Sequence, residues 1–272
     1  MQPILKWVGG KRQLLNEIKK YIPEKINTYF EPFIGGAAVL LELEPKKAVI
    51  NDVNLELSNL YKVVKEKHKE LIKELENHKK NHSEDYYYKI RKWDREEDYK
   101  KKSDIEKAAR FIYLNKTCFN GLWRVNSKGQ NNVPSGKYKN PNILDKERIE
   151  ELHKYLKDND IKILNGDFEE CVKNAEEGDF VYFDPPYMPL SKTSNFTDYS
   201  TDGFDEKDQI RLKKICDELN KKKVKFLLSN SNCDFIKDLY KDYNIEIVNA
   251  TRMINSDATK RGNVEEVLIK NY

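Results

Sequence analysis

The sequence predicts an α/β fold built on a doubly wound, mostly parallel sheet. Short β-type runs recur along the chain, and each ends in a polar or acidic residue. Amphipathic helical patterns lie between these runs, and strands that alternate with helices build parallel sheets. A third observation is an interruption. Residues 55–145 show no β-α alternation and read as an insertion in a core made of residues 1–54 and 146–272.

The elements follow in order. Thr28-Tyr29-Phe30 leads into Glu31, and residues 48–50 lead into Asn51-Asp52. Residues 161–164 lead into Asn165-Gly166-Asp167, Phe180–Phe183 into Asp184, and residues 226–228 into Ser229-Asn230. In such sheets ligands bind beyond the carboxyl ends of the strands, which is where these acids fall. Residues 205–220 have helical period, with Ile210, Leu212, Ile215 and Leu219 expected on one face. Residues 245–248 and 264–269 suit an antiparallel hairpin at the sheet edge. From Lys62 to Lys102 the insertion mixes Lys, Glu and Asp with apolar residues at helical spacing, a solvated helix face. Residues 115–138 then bring Asn, Gly, aromatic and basic residues together.

Composition excludes several classes. The 272 residues suffice to bury a core without staples. A membrane-spanning helix needs about 20 apolar residues, and no run approaches that length. The amino terminus lacks the apolar segment of a signal peptide, so a cytoplasmic protein is expected. The four cysteines are dispersed without CxxC spacing, so neither a disulfide framework nor a metal site is expected. The net charge of +4 argues neither for nor against a polyanion partner.

Asp184-Pro185-Pro186-Tyr187 carries the strongest chemical signal. An exocyclic amine of adenine or cytosine is a poor nucleophile because its lone pair is delocalised into the ring. A carboxylate accepting from its N–H, with a fixed carbonyl at Pro185, localises that lone pair and stabilises the developing positive charge. Two prolines lock the backbone that presents the carbonyl, and Tyr187 can stack on an extruded base. The bland alternative is a rigid turn with a packed Tyr. Phe30-Glu31-Pro32-Phe33-Ile34-Gly35-Gly36 passes from a strand through glycines into a helix, a turn that admits a ligand to the backbone or is simply tight. Asp52 follows at the interval where nucleotide-binding folds place an acid on a ribose hydroxyl pair, and it equally suits a helix cap. Leu5-Lys6-Trp7-Val8-Gly9-Gly10-Lys11 is no P-loop. Its Trp7 and Lys11 offer an aromatic wall and a cation to an amino-acid carboxylate, or a helix start with a core Trp.

These segments, with Asn165-Gly166-Asp167-Phe168, stand in an order that resembles the Dam-type DNA adenine-N6 methyltransferases of the D12 class. Pro189-Leu190-Ser191, Asn195-Phe196-Thr197, Tyr199, Leu228-Ser229-Asn230-Ser231 and residues 252–261 extend the resemblance over nearly the whole chain. It implies a methyltransferase core that uses S-adenosylmethionine, with a helical and β-hairpin target-recognition insertion. It implies cofactor contacts from Trp7, Lys11, Glu31, Phe33, Gly35, Asp52, Asp167, Phe168 and Asp184. It implies that Asp184, Pro185 and Tyr187 hold a flipped adenine in double-stranded DNA. The segments Asn120–Arg124 and Pro134–Tyr138 resemble the recognition hairpin of enzymes acting at GATC. By that resemblance Arg124 reads guanine, Leu122 and Pro134 meet the third-position thymine, and Phe119, Asn120 and Tyr138 stabilise the opened site. Lys137 stands where the family often has Arg, which weakens a bidentate contact there.

Cytosine-C5 transfer is disfavoured, since it needs a nucleophilic Cys, usually after Pro, and no Cys follows Pro. Two rivals stay open at the level of sequence. One is an RNA or protein N-methyltransferase, and the other is a sequence-specific DNA-binding module that has lost catalysis. A companion restriction endonuclease and solitary action are both compatible with the sequence.

Overall fold

The structure is a computed structural model that describes residues 1–189, 203–251 and 263–272. In chain order its helices are α1 (Leu15–Lys19), α2 (Ala38–Leu43), α3 (Leu55–Lys80), α4 (Glu84–Lys92), α5 (Asp104–Thr117), α6 (Lys146–Asp158), α7 (Phe168–Val172), α8 (Glu206–Lys221) and α9 (Asp234–Leu239). Its strands are β1 (Tyr29–Glu31), β2 (Lys47–Ile50), β3 (Asp160–Ile163), β4 (Phe180–Phe183), β5 (Lys225–Ser231), β6 (Asn244–Thr251) and β7 (Asn263–Lys270). The fold is thus α/β with a mostly parallel sheet. Two compact units emerge. The first comprises Met1–Gly10, Gly35–Lys46 and Asp52–Asn165, and the second Lys11–Ile34, Lys47–Asn51 and Gly166–Tyr272.

The second unit holds six of these strands, in the order β2-β1-β4-β5-β7-β6. The pairs β2–β1, β1–β4 and β4–β5 are parallel, and β7 runs antiparallel to both β5 and β6. β4 is buried at every residue, which is what a run of Phe, Val, Tyr and Phe between two parallel neighbours should be. Phe30, Val181, Phe183, Phe226, Leu228, Val267 and Ile269 form its core with Leu212, Cys216 and Leu219 of α8. From β1 the chain proceeds to β2 on one side, while β4 leads to β5 on the other. The topological switch point therefore lies between β1 and β4, where such sheets bind ligands. Glu31 ends β1 and Asp184 follows β4, so both acids flank it.

One expectation is met and one needs correction. The late runs form an antiparallel hairpin at the sheet edge, with β6 outermost. β7 inserts between β5 and β6, because Val267, Leu268 and Ile269 are all fully buried and need a partner on each side. On α8 the buried residues are Gln209, Leu212, Cys216 and Leu219, whereas Ile210 is 41% exposed. Positions 209, 212, 216 and 219 share a stripe at helical period, and position 210 lies about 100° off it.

In the first unit α3 packs against α5 and α6. The charge run of the sequence divides as a helix requires. Leu57, Leu60, Tyr61, Val64, Leu71 and Leu75 are buried, while Lys62, Glu66, Lys69, Glu70 and Lys73 are exposed. Asn54 caps α3, and Ser103 with Glu106 forms a capping box at α5. Arg110 of α5 is buried and donates to the carbonyls of Ile90 (3.0 Å) and Arg91 (2.9 Å), which closes the end of α4. It also pairs with Asp94 at 2.6 Å. Among the described residues no helix is long and apolar enough to cross a membrane.

Candidate active site

Asp184 emerges where buried β4 ends, and the residues after it are held through their backbone. Gln209 Nε2 donates to the Pro186 carbonyl (2.9 Å), the Met188 amide donates to Asn230 Oδ1 (3.1 Å), and Ser231 Oγ donates to the Met188 carbonyl (2.6 Å). Asn230 in turn donates to Gln209 Oε1 at 3.1 Å. Gln209, Asn230 and Ser231 are buried polar residues, and these bonds satisfy them. None of the bonds engages the Pro185 carbonyl. The Ser-Asn-Ser segment was visible in the sequence without a role. Gln209 was missed, since one polar residue on a helical stripe carries no local signal.

Lys11 opens the turn Lys11–Gln13 and sets its Nζ 2.8 Å from Asp184 Oδ1. The Lys11 side chain is 7% exposed and that of Asp184 20%. Burial pushes the Asp184 carboxyl up to about 6; Lys11 works against that rise, and the Glu266 charge adds to it. The same ammonium lies 4.7 Å from the centre of the Tyr187 ring. The Tyr187 hydroxyl donates to Glu266 Oε2 at 2.7 Å. Burial, then the charges of Asp184 and Glu266, hold that phenol well above its usual range, so it stays neutral. Lys11, Asp184 and Tyr187 are thus one cluster, and Glu266 joins it. Glu31 is buried and accepts from Tyr29 Oη at 2.7 Å, while its carbonyl accepts from the Asn51 amide.

Elsewhere in the second unit, Phe33 stacks on Phe168 with centroids 5.4 Å apart, and Phe204 meets Phe33 edge-on. Asp167 is the cap of α7, its Oδ1 accepting from the Glu169 amide. Its other oxygen pairs with Arg211 at 2.7 Å, and the Arg211 guanidinium lies 4.5 Å from the centre of the Phe168 ring. No local pattern in the sequence marks Arg211, which arrives from α8.

Trp7, Gly35 and Asp52 belong to the first unit and meet there. The Gly35 amide donates to Asp52 Oδ2 (3.0 Å), and Tyr61 Oη donates to the Gly35 carbonyl (2.8 Å). Gly35 has φ +45°, and a Cβ on it would come within 2.8 Å of the Trp7 ring. The glycine turn therefore admits Trp7 against its backbone. Asp52 also accepts from the Asn54 amide (2.9 Å) through Oδ1, but the helix-capping role itself goes to Asn54.

The segment after α5 folds as a short antiparallel excursion with bridges at Cys118–Ser135 and Val125–Asn131. Asn115 anchors it: its amide donates to the carbonyls of Lys6 (2.7 Å) and Gly121 (3.0 Å) and its oxygen accepts from the Lys6 amide. The Phe119 amide donates to the Pro134 carbonyl, which fixes the two ends against each other. Phe119 is 51% exposed and Asn120 adopts φ +55° beside it. Arg124 Nε donates to Asn132 Oδ1 at 2.8 Å, and the Arg124 carbonyl accepts from the Asn132 amide. Leu122 is half-buried, Pro134 and Lys137 are exposed, and Tyr138 lies under Lys6 at 5.0 Å. Leu190, Ser191, Asn195, Phe196, Thr197, Tyr199, Arg252, Lys260 and Arg261 lie outside the described residues.

Set beside known proteins, residues 7–254 match the family described as D12 class N6 adenine-specific DNA methyltransferase. The chain is 51% identical to the type II methyltransferase M1.LlaDCHI of Lactococcus lactis subsp. cremoris, over all of this chain and 96% of that one. It is 44% identical to the type II methyltransferase M.MjaIII of Methanocaldococcus jannaschii, over all of this chain and 99% of the other. The DNA adenine methylase of Escherichia coli is 34% identical, over 97% of this chain and 93% of that protein.

Proposed function

This chain belongs to the D12 class of N6 adenine-specific DNA methyltransferases, and on that premise we propose that it transfers a methyl group from S-adenosylmethionine to N6 of an adenine flipped out of duplex DNA, at GATC. Family membership makes it a site-specific adenine DNA methyltransferase and sets RNA and protein aside as substrates. A module without catalysis fits poorly, because the chain keeps Lys11 beside Asp184 and retains Asp52. The single observation that carries the reading is Asp184, a carboxylate at the end of a buried strand beside the switch point, with its loop clamped from α8 and β5.

The residue chemistry suits S-adenosylmethionine. Lys11 supplies a cation for the amino-acid carboxylate, Asp52 an acceptor for the ribose hydroxyls, and Phe33 with Phe168 aromatic faces for the adenine. Asp167 offers an acceptor at the adenine end, and Trp7, Glu31 and Gly35 are further cofactor contacts. When bound, the cofactor supplies an electrophilic methyl carbon, whose bond to sulfur breaks with its electron pair going to sulfur. The chain does the rest. Asp184 accepts from one N6–H of the target adenine and the Pro185 carbonyl accepts from the other. Together they turn the nitrogen lone pair out of the ring and stabilise the positive charge that builds on N6, which then releases one of its two protons to water. Tyr187 stacks on the extruded base.

Residues 55–145 serve as the recognition insertion. Arg124 reads guanine, Leu122 and Pro134 contact thymine, Phe119 and Asn120 fill the opened site, and Lys137 and Tyr138 flank it. Support comes from the exposed Phe119 on a braced loop and from similarity to proteins named for DNA adenine methylation. Two relatives named type II methyltransferases support a place in a restriction–modification pair, with a companion endonuclease.

Asp184→Ala removes the acceptor and should abolish methyl incorporation into duplex DNA while leaving duplex binding intact. Near-normal turnover in that variant would refute the mechanism.

A further inference from the structure

We propose that Glu266 is a positioning residue that holds the Tyr187 ring in register for the target base. This inference rests on the reading of Asp184 and Tyr187 given above.

The base platform is a single ring on a loop, so its usefulness depends on how well that ring is fixed. Three contacts fix it. The backbone beside it is clamped at Met188 by Asn230 and Ser231. The Lys11 ammonium lies over its face at 4.7 Å. Its far end is tied by the 2.7 Å bond from Oη to Glu266 Oε2. A hydrogen bond with a charged partner is among the stronger anchors available to a side chain.

Glu266 reaches this place through topology. β7 lies between β5 and β6, and Glu266 stands opposite Ser231 in the β5 register. The strand that supplies Ser231 to the loop backbone is therefore paired with the strand that supplies Glu266 to the ring. The neighbouring Val267 is buried in the core, which fixes the strand carrying the carboxylate. Glu266 also brings a second negative charge to a group that already holds Asp184 and Lys11. That charge favours a base whose N6 becomes positive as the methyl group arrives.

The test uses the full-length protein and a GATC duplex carrying 2-aminopurine in place of the target adenine, whose fluorescence rises on extrusion. A second GATC duplex with normal adenine measures turnover. Tyr187→Phe keeps the ring and loses the hydroxyl, while Glu266→Ala loses the acceptor. Each should weaken extrusion and raise the KM for DNA by about tenfold, with a smaller change in kcat. In extrusion and KM the double variant should be no worse than either single one, since both remove the same bond. Glu266→Gln keeps an acceptor oxygen and should restore most of the extrusion signal, which a change in folding alone would not do. Unchanged KM and extrusion in Tyr187→Phe and Glu266→Ala, or additive losses in the double variant, would overturn the inference while leaving the function intact. Absence of any methylation of duplex adenine by the wild-type protein would overturn the function itself, and this inference with it.

Discussion

Asp184 combines a largely buried side chain with a lysine at 2.8 Å. Burial is the stronger influence, and it holds the carboxyl at about 6 rather than in the usual range near 4. The protonated form cannot accept from an N6–H on the oxygen that carries the proton. Activity should therefore fall as pH drops through 6 and level off above it. Measured as kcat/KM against pH, the acidic limb should bend near 6. A limb bending near 4 would show that the Asp184 carboxyl is not raised in the working enzyme. The acid and its tyrosine were legible in four consecutive letters, because the chemistry needs an acceptor, a rigid carbonyl and a ring in immediate succession. The partners of those residues were not. Glu266 is separated from Tyr187 by 79 positions and Gln209 from Pro186 by 23, and no local pattern marks such pairs.

At the level of elements, the sequence showed the strands better than their neighbours. Runs such as Phe180–Phe183 are β-type whatever surrounds them, but which strand lies beside which is decided by long-range packing. The hairpin at the sheet edge was legible, but not that β7 would lie against β5 with β6 outermost. The helical insertion posed the opposite case. Its charges were plain, and the residue that locks it was hidden among them. Arg110 is 1% exposed and pairs with Asp94, which also accepts from the Asn131 amide at 2.7 Å. One buried ion pair thus joins α5, the end of α4 and the loop that carries Arg124. Arg110→Ala would remove the buried cation from Asp94, leaving it Arg95 and the Asn131 amide, and would leave the Ile90 carbonyl without its side-chain donor. Such a loss is worth roughly 3 kcal/mol, and denaturant unfolding should show it as a lower midpoint. It should also weaken DNA recognition, because Asn131 adjoins Asn132, the partner of Arg124.

Over the whole molecule, the net charge of +4 is the sum of 50 basic and 46 acidic residues, and it conceals where each sign lies. Lys128, Lys137 and Lys139 are exposed in the recognition segment, beside half-exposed Arg124. Lys116 contributes less than its position suggested. It is half-buried, and burial lowers its ammonium to about 8. Acids stand at strand ends such as Glu31 and Asp184, while the outer face of α3 mixes Lys with Glu. A duplex bound by even three or four of these cations should lose affinity steeply with salt, with a log–log slope of about −3. Binding that stayed flat between low and physiological salt would contradict the proposed DNA surface.

The most direct test of the central claim is to incubate the purified protein with S-adenosylmethionine and a random-sequence duplex library, then map every N6-methyladenine by its context. Modified adenine should lie in GATC and should disappear with Asp184→Ala. Methylation absent from DNA adenine, or spread over adenines without a shared context, would contradict the claim.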